Sequence, residues 1–237
     1  MNHIDRAIFH AGRGPVGKLA EPPVGFLVCF AVKEEAKYFM PLPGGRHGPV
    51  QTWITGIGRR NAEESIRRAV DLVKPGRVLT CGFAGGLNPG LKCGQVVFDC
   101  DLDVGLAGNL EEAGALAGRF HCASRVATTA TEKGAMWKST GADAVEMESS
   151  VIRTICREHG IPSATIRVIS DSAQQDLPLD FNALMTGDER VDYFKLLRSV
   201  LASPAKIPRL IEFQRQTVTA AQRLAQVLVE LLRRNCR

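Results

Sequence analysis

The sequence predicts an α/β fold with three layers, in which helices flank a central, mainly parallel sheet of mixed type. Short apolar segments alternate along the chain with amphipathic helical patterns. These segments are apolar at successive positions, as expected of strands that are covered on both faces. The length of 237 residues is within the range of one α/β domain. Together, these observations favour a single large core.

Six short apolar runs bounded by polar or turn-forming residues are predicted to be strands. They are GFLVCFAV (25–32), VQTWIT (50–55), RVLTC (77–81), QVVFDC (95–100), ADAVEM (142–147) and SATIRVIS (163–170). Helices are predicted over 61–75 and 149–160, where apolar residues recur at helical spacing, and Gly160 and Pro162 end the second of them. The glycine-rich stretch CGFAGGLNPG is predicted to be a loop, either a tight turn or a close approach of backbone N–H groups to a polar ligand.

The chain divides into three segments of different character. Residues 1–24 carry glycine, proline and charge without periodicity and are predicted to form a flexible N-terminal arm. Residues 25–185 are predicted to form the main α/β domain. Residues 186–237 are predicted to be a helical extension packed on the same domain, with helices over 188–202 and 207–234.

The net charge of +5 is concentrated in the C-terminal extension, where nine basic and two acidic side chains lie between 195 and 237. Over 207–234, apolar residues recur on a helical stripe opposite arginines. The simplest interpretation is a helix packed on the domain with a solvated basic face. The alternative is peripheral contact with an anionic membrane surface. Nucleic-acid binding is not expected, because no recognition motif or aromatic interleaving accompanies the charge.

The first residues lack the apolar core of a signal peptide, and no apolar run approaches the roughly 18 residues of a membrane span. We therefore expect a cytoplasmic protein, located at the inner face of the membrane if the basic helix contacts lipid. The five histidines show no metal-binding spacing, so neither a metal nor another cofactor is expected.

Acidic side chains recur where predicted strands end, which is where ligands bind in open α/β sheets. Glu35 follows the first strand, Glu146 and Glu148 end the fifth, and Asp171 ends the last. Each has an ordinary interpretation, as the first turn of a helix, a solvated strand end or a turn cap. Four such coincidences are harder to accept together, so these residues are candidates for a shared site. Arg167 is expected to neutralise a neighbouring carboxylate.

Three stretches carry a resemblance to a known family: TGIGRRNAEESIRRAVDLVKPGRVLTCGFAGGLNPGLKCGQVV, AVEMES and IRVISDSA. In order and spacing they resemble the purine nucleoside phosphorylase superfamily, and in particular its methylthioadenosine/S-adenosylhomocysteine nucleosidase branch. The likeness covers roughly residues 25–185, and VEMES and ISD are its most specific elements. It implies a nucleoside phosphorylase-like fold, a homodimer, and an enzyme that cleaves the N-glycosidic bond of an adenine nucleoside.

The resemblance also implies roles for individual residues. Glu148 would bind the ribose hydroxyls with Met147 beneath the sugar, and Glu35 would orient or deprotonate the attacking water. Asp171 would be the general acid at purine N7, because cleavage produces a purine anion and an oxocarbenium-like sugar. It would have to hold its proton near neutral pH, as burial beside other carboxylates would favour. The further substrate contacts implied are Glu146, Phe83, Ala84, Gly85 and Ser170.

Departures from the family pattern bear on the nucleophile. Phosphorylases of the superfamily hold phosphate with an arginine where this chain has Glu35, and with arginine and serine where it has Thr80 and Phe83. This favours water, because phosphate needs cationic or hydrogen-bonding anchors. Arg59 and Arg60, at a predicted helix start, could provide an anion-binding site instead, so phosphate stays open as a co-substrate.

Two alternative functions remain at this point. From residue 185 onward, the chain is similar to the C-terminal region of hopanoid-associated phosphorylases, which implies release of adenine from an adenosyl-hopanoid lipid precursor. The other alternative is a non-catalytic nucleoside-binding protein. Such a protein needs neither a general acid nor a water activator, so Asp171 and Glu35 favour an enzyme.

Overall fold

The computed structural model describes residues 25–40, 50–101, 105–184, 186 and 204–235. Its strands are β1 (Phe26–Phe30), β2 (Val50–Ile54), β3 (Arg77–Gly86), β4 (Val96–Cys100), β5 (Ala115–Ala117), β6 (Phe120–Cys122), β7 (Ala144–Glu146) and β8 (Ser163–Asp171). Its helices are α1 (Lys33–Ala36), α2 (Arg59–Val73), α3 (Ala107–Glu112), α4 (Ala130–Thr140), α5 (Ser149–Glu158), α6 (Phe181–Leu184) and α7 (Ile207–Asn235). The predicted arm over 1–24 and the predicted helix over 188–202 lie outside the described residues.

The strands form one mixed sheet in the order β2-β1-β3-β8-β4-β5, and β7 pairs with both β3 and β6. Strands β2, β1, β3 and β8 are parallel neighbours. Two pairings are antiparallel, that of β4 with β8 and that of β7 with β3. The predicted α/β fold with a mainly parallel, mixed sheet is therefore confirmed.

Helices cover both faces of the sheet because its strands are apolar on both. On one face, α2 and α5 bury side chains such as Ile66 and Ile152. On the other face, α7 buries Leu224, Leu228 and Leu231. The C-terminal half of α7 is thus a packed helix, in agreement with the simpler interpretation of its apolar stripe. Within the described ranges, no helix has the length and apolar composition needed to cross a bilayer.

The prediction of a loop for CGFAGGLNPG is wrong over its first half, because β3 continues to Gly86. Its last residues pair with β8 on one edge and with β7 on the other, where Gly85 lies opposite Val145. The register against β8 shifts between Ala84 and Gly85, as in a β-bulge. Strand pairing on both edges therefore keeps this glycine-rich segment extended.

Helix α4 was not among the predicted helices, because it lacks an apolar stripe and buries only Lys133. A capping box fixes its start. The Thr129 hydroxyl accepts from the Glu132 N–H at 3.2 Å, and the Glu132 carboxylate accepts from the Thr129 N–H at 3.3 Å. A Thr-x-x-Glu pattern is a recognised sequence signature of a helix start, so its position could have been predicted.

Candidate active site

The strand ends converge at one edge of the sheet. Strands β1, β3 and β8 are adjacent and parallel, so their carboxyl ends lie side by side. Strand β7 runs antiparallel to the extension of β3, and this brings its own end back toward the same edge. The result is a cavity of about 330 Å³ that receives side chains from all four strand ends. Its size is within the range of small-molecule sites, about 300–1,000 Å³.

Every residue predicted to take part in catalysis or substrate binding lines this cavity. They are Glu35, Phe83, Ala84, Gly85, Glu146, Met147, Glu148, Ser170 and Asp171. In the described part of the chain, no group of three or more His, Cys, Asp or Glu side chains is arranged to hold a metal ion.

Arg59 and Arg60 do not join this cavity. Both are exposed in the first turn of α2, and neither lines the pocket. The backbone N–H of Gly58, just before them, donates to the Glu148 carboxylate at 2.9 Å. The Gly58 N–H at the start of α2 is therefore occupied by a carboxylate of the protein itself. The structure does not support the predicted anion site at this helix start.

Glu146 is a carboxylate whose hydrogen bonds are made within the protein. It accepts from the Ser149 N–H and hydroxyl, both at 2.7 Å, and from the Glu148 N–H at 3.1 Å. The Arg167 guanidinium donates to it at 2.7 Å. Burial raises the pKa of Glu146, but Arg167 and Ser149 outweigh burial, and the pKa lies below its ordinary value. Glu146 therefore anchors the start of α5 as an ionised group.

Arg167 is the buried cation beside these carboxylates, with only 1% of its surface exposed. It donates to the Cys81 carbonyl at 2.6 Å and approaches Glu148 at 3.4 Å, in addition to its bond to Glu146. The prediction that it neutralises neighbouring carboxylates is confirmed. Arg167 thus pairs with two carboxylates. Its single positive charge cannot neutralise both of them when both are ionised.

Glu148 is the less closely paired of these two carboxylates. Burial raises the pKa of Glu148 to about 7. The Arg167 cation lowers this pKa, and the Glu146 carboxylate raises it further. Apart from Gly58, its hydrogen-bonding partner is Arg167 at the long distance of 3.4 Å. Glu148 therefore has more acceptor capacity left for a ligand than Glu146 has.

Glu35 is held by backbone donors at the end of β1. Its carboxylate accepts from the N–H groups of Ala31 at 2.9 Å, Val32 at 3.2 Å and Phe83 at 2.8 Å. Burial raises the pKa of Glu35, whereas Arg167 and these N–H groups lower it, and the balance is a raised pKa. A buried carboxylate with a raised pKa is a suitable general base near neutral pH.

Gly82 makes this arrangement possible. Its φ of +149° is one that side chains disfavour, and a Cβ there would lie 2.5 Å from both a Glu35 oxygen and an Arg167 nitrogen. A side chain at this position would push the base and the buried cation apart. The glycine in this strand is therefore required by close packing of charged groups.

Asp171 has a different environment from the one expected. Its Oδ1 accepts from the Ser170 hydroxyl at 2.6 Å, and its Oδ2 forms an ion pair with Lys133, a fully buried lysine of α4. The expected proton-holding cluster of carboxylates around Asp171 is thus replaced by a carboxylate–ammonium pair.

Several other residues of the cavity were not identified from the sequence. Arg125 comes from the segment after β6 and forms an ion pair with Glu132 at 2.5 Å. Phe181 of α6 and Phe213 of α7 form an apolar wall, with ring centroids 5.9 Å apart. These residues lie outside the four strand ends that converge at the cavity, so no local pattern assigns them to the site.

The site and fold have counterparts in known proteins. The chain is 25% identical to the 5′-methylthioadenosine/S-adenosylhomocysteine nucleosidase of an Exiguobacterium species over 165 residues, 55% of this chain and 71% of that protein. It is 26% identical to the nucleosidase of the same name from Glaesserella parasuis over 164 residues, with the same coverage of each chain.

Solved structures show the same fold. The S-adenosylhomocysteine nucleosidase from Streptococcus pyogenes is similar at a TM-score of 0.64 and 16% identity, over 88% of this chain and 96% of that one. The futalosine hydrolase of Helicobacter pylori is similar at a TM-score of 0.63 and 17% identity, over 88% and 97% of the two chains.

The Phosphorylase superfamily model matches residues 107–233, which is more than half of the sequence. This match contains the VEMES and ISD motifs on which the resemblance depends. The chain belongs to the phosphorylase superfamily.

Proposed function

We propose that this chain is a nucleosidase that hydrolyses the N-glycosidic bond of an adenine nucleoside. Membership of the superfamily supports an enzyme over a nucleoside-binding protein. The relatives named as methylthioadenosine/S-adenosylhomocysteine nucleosidases support adenine as the base and hydrolysis as the reaction. The carboxylate-lined cavity supplies the negative charge that an oxocarbenium-like sugar needs.

In this proposal, each end of the cavity has its own task. Glu148 accepts hydrogen bonds from the ribose hydroxyls, and Met147 packs under the sugar. Asp171 and Ser170 face the base, and Asp171 passes a proton to it as the C1′–N9 bond breaks. Glu35 takes a proton from water as the water oxygen bonds to C1′. The products are free adenine and a free sugar.

The observation that carries hydrolysis over phosphorolysis is the position of the Glu35 carboxylate. It occupies the N–H groups of Ala31, Val32 and Phe83 that would otherwise face an anion. The nearby guanidinium of Arg167 is already paired with carboxylates. A phosphate dianion would meet negative charge at this place, whereas a water molecule would meet a base.

The proposal is tested by product analysis. The full chain is incubated with methylthioadenosine, adenosylhomocysteine, adenosine and inosine, each with and without phosphate. We expect the adenine nucleosides among these substrates to release adenine at equal rates with and without phosphate. The second product is expected to be the free sugar. A sugar 1-phosphate formed only with phosphate would assign phosphorolysis. No base release from any of these nucleosides would contradict the proposed function.

Contact of α7 with a membrane surface is a separate proposal. It is linked to the alternative function, release of adenine from an adenosyl-hopanoid lipid precursor. Ile207 and Ile211 of α7 are 40% and 46% exposed beside Lys206 and Arg209, and Phe213 of the same helix lines the cavity. This end of α7 therefore combines apolar and basic side chains next to the site, as membrane-surface helices do. Co-sedimentation with anionic but not neutral vesicles is expected. Equal recovery with both would contradict it.

The homodimer is likewise a proposal, which the family resemblance supports. The cytoplasmic location is a proposal from the sequence. Light scattering of the purified full chain distinguishes a dimer from a 25.7 kDa monomer. A monomer with full activity would contradict the proposed homodimer.

A further inference from the structure

Lys133 is buried completely although it carries a charge, and it is the only buried residue of helix α4. Its ammonium group has three partners. It pairs with the Asp171 carboxylate and donates to the carbonyls of Ser172 at 3.0 Å and Gln175 at 2.7 Å. All three N–H bonds are therefore used, and the group is fixed in one position.

A buried ion pair is a weak way to stabilise a fold, because removing both charges from water costs about as much as their attraction returns. A methionine would fill similar space without this cost. The pair nevertheless lies at the cavity, since Asp171 lines it and Lys133 lies directly behind Asp171. This position favours a role in the chemistry of the cavity.

The two oxygens of Asp171 both accept hydrogen bonds, one from Ser170 and one from Lys133. Asp171 is therefore the acceptor in both hydrogen bonds, and the donor to its Oδ2 is the Lys133 side chain. Among the described residues, Asp171 is the only carboxylate that pairs with Lys133. The proton of Lys133 therefore has one acidic acceptor, and that acceptor faces the cavity.

We propose that Lys133 is the positioning residue of the general acid: it fixes Asp171 and holds the proton that Asp171 delivers to the purine. This inference rests on the proposed function. As the C1′–N9 bond breaks, its electron pair goes to the purine, the Lys133 ammonium passes a proton to the Asp171 carboxylate, and Asp171 passes that proton to a purine nitrogen. The pair is left as a neutral amine and a carboxylate.

The proton balance closes through the attacking water. That water gives its oxygen and one hydrogen to the sugar and its other proton to Glu35. After product release, Asp171 faces a cavity open to solvent, and a solvent proton returns to the amine as Glu35 loses one. The net change is addition of one water molecule across the glycosidic bond.

The test compares Lys133→Met and Lys133→Gln with Lys138→Met, a matched change at an exposed position of the same helix. Gln keeps a hydrogen-bond donor but has no proton to supply. We expect kcat for the nucleoside that the wild type cleaves to fall by about 100-fold in both Lys133 variants, within the range for general acid catalysis. We expect KM to change little and Lys138→Met to behave as wild type. Circular dichroism and Tm establish that each variant is folded.

A double-mutant cycle with Asp171→Asn separates this role from a structural one. If Lys133 acts through Asp171, adding Lys133→Met to Asp171→Asn causes no further loss of kcat. If the loss of kcat in the double variant equalled the product of the two single losses, the inference would be overturned. Wild-type kcat in Lys133→Gln would overturn it as well. Should Lys133→Met not fold, the Lys133→Gln variant and its own cycle with Asp171→Asn decide the question. An inactive wild type would contradict the proposed function itself.

Discussion

Asp171→Asn is expected to reduce kcat for adenine nucleoside cleavage by about 10²–10⁴-fold, the range for loss of a general acid. The amide is nearly the same size as the carboxyl group and keeps a hydrogen-bond acceptor for Ser170. It cannot, however, relay a proton from Lys133 to the departing purine. KM is expected to change little, because the proposed ribose contacts of Glu148 and Met147 remain. The measurement is steady-state adenine release on the folded variant.

A matched control for this prediction is Asp71→Asn, the same chemical change at an exposed position of α2. It is expected to have wild-type kcat and KM. Two outcomes would contradict the assignment of Asp171: unchanged kcat in Asp171→Asn, or an equal loss in the control. A rise in KM with kcat unchanged would indicate that Asp171 only binds the base.

The strand ends and their carboxylates could be predicted because the information is local. Apolar runs define β1, β7 and β8, and an acidic residue at each end stands out against them. The convergence of β1 and β8 follows from a general property of parallel sheets, in which carboxyl ends share one edge. Strand β7 reaches the same edge because it runs antiparallel to the extension of β3. The structure accordingly brings Glu35, Glu148 and Asp171 to one cavity.

The partner of Asp171 could not be predicted because it depends on distant pairing. Lys133 lies 38 residues before Asp171 in the chain, on a helix without an apolar stripe. Nothing in the local sequence distinguishes it from an exposed lysine such as Lys138. Phe213 was missed for the same reason, since its position in the cavity depends on how α7 packs across the sheet.

The two glutamates of the VEMES motif also could not be told apart from sequence alone. Strand periodicity places Glu146 and Glu148 on the same face, so both appear equivalent. In the structure, β7 ends at Glu146, and α5 starts at Ser149. Glu146 consequently binds the start of α5, whereas Glu148 is directed to Gly58 and the cavity. The difference arises from where the strand ends, which periodicity does not define.

Glu148→Gln is expected to stabilise the protein above pH 7 and to abolish most of its activity. The pKa of Glu148 is raised by burial from 4.5 to about 7, so ionisation of this group opposes folding. The stability gained by the protonated form is fully present below pH 4.5 and is lost as pH rises through about 7. Glutamine does not ionise and avoids this loss. At 1.36 kcal/mol per pH unit, the gain in unfolding free energy at pH 8 is at most about 3 kcal/mol.

Turnover is expected to change in the opposite direction, because a neutral amide cannot balance the positive charge of the sugar in the transition state. Loss of one such electrostatic contact lowers kcat by about 10²–10³-fold. Urea unfolding at pH 5 and pH 8, with steady-state kinetics at pH 8, measures both effects. A variant that is no more stable than wild type at pH 8 would contradict the raised pKa, and one with wild-type turnover would contradict the role at the ribose.

Glu146→Gln provides the contrast, because the pKa of Glu146 is lowered and its ionised form stabilises the fold. That contribution is present above the unfolded-state pKa and is lost as pH falls, so this variant is expected to be less stable than wild type at pH 8. Two glutamates separated by one residue should thus respond to the same substitution with opposite signs. The sign of the change in unfolding free energy distinguishes a carboxylate that destabilises the fold and binds a ligand from one that is paired within the fold. If both variants were destabilised equally, Glu148 would be a second structural carboxylate, and the proposed ribose contact would lose its physical basis.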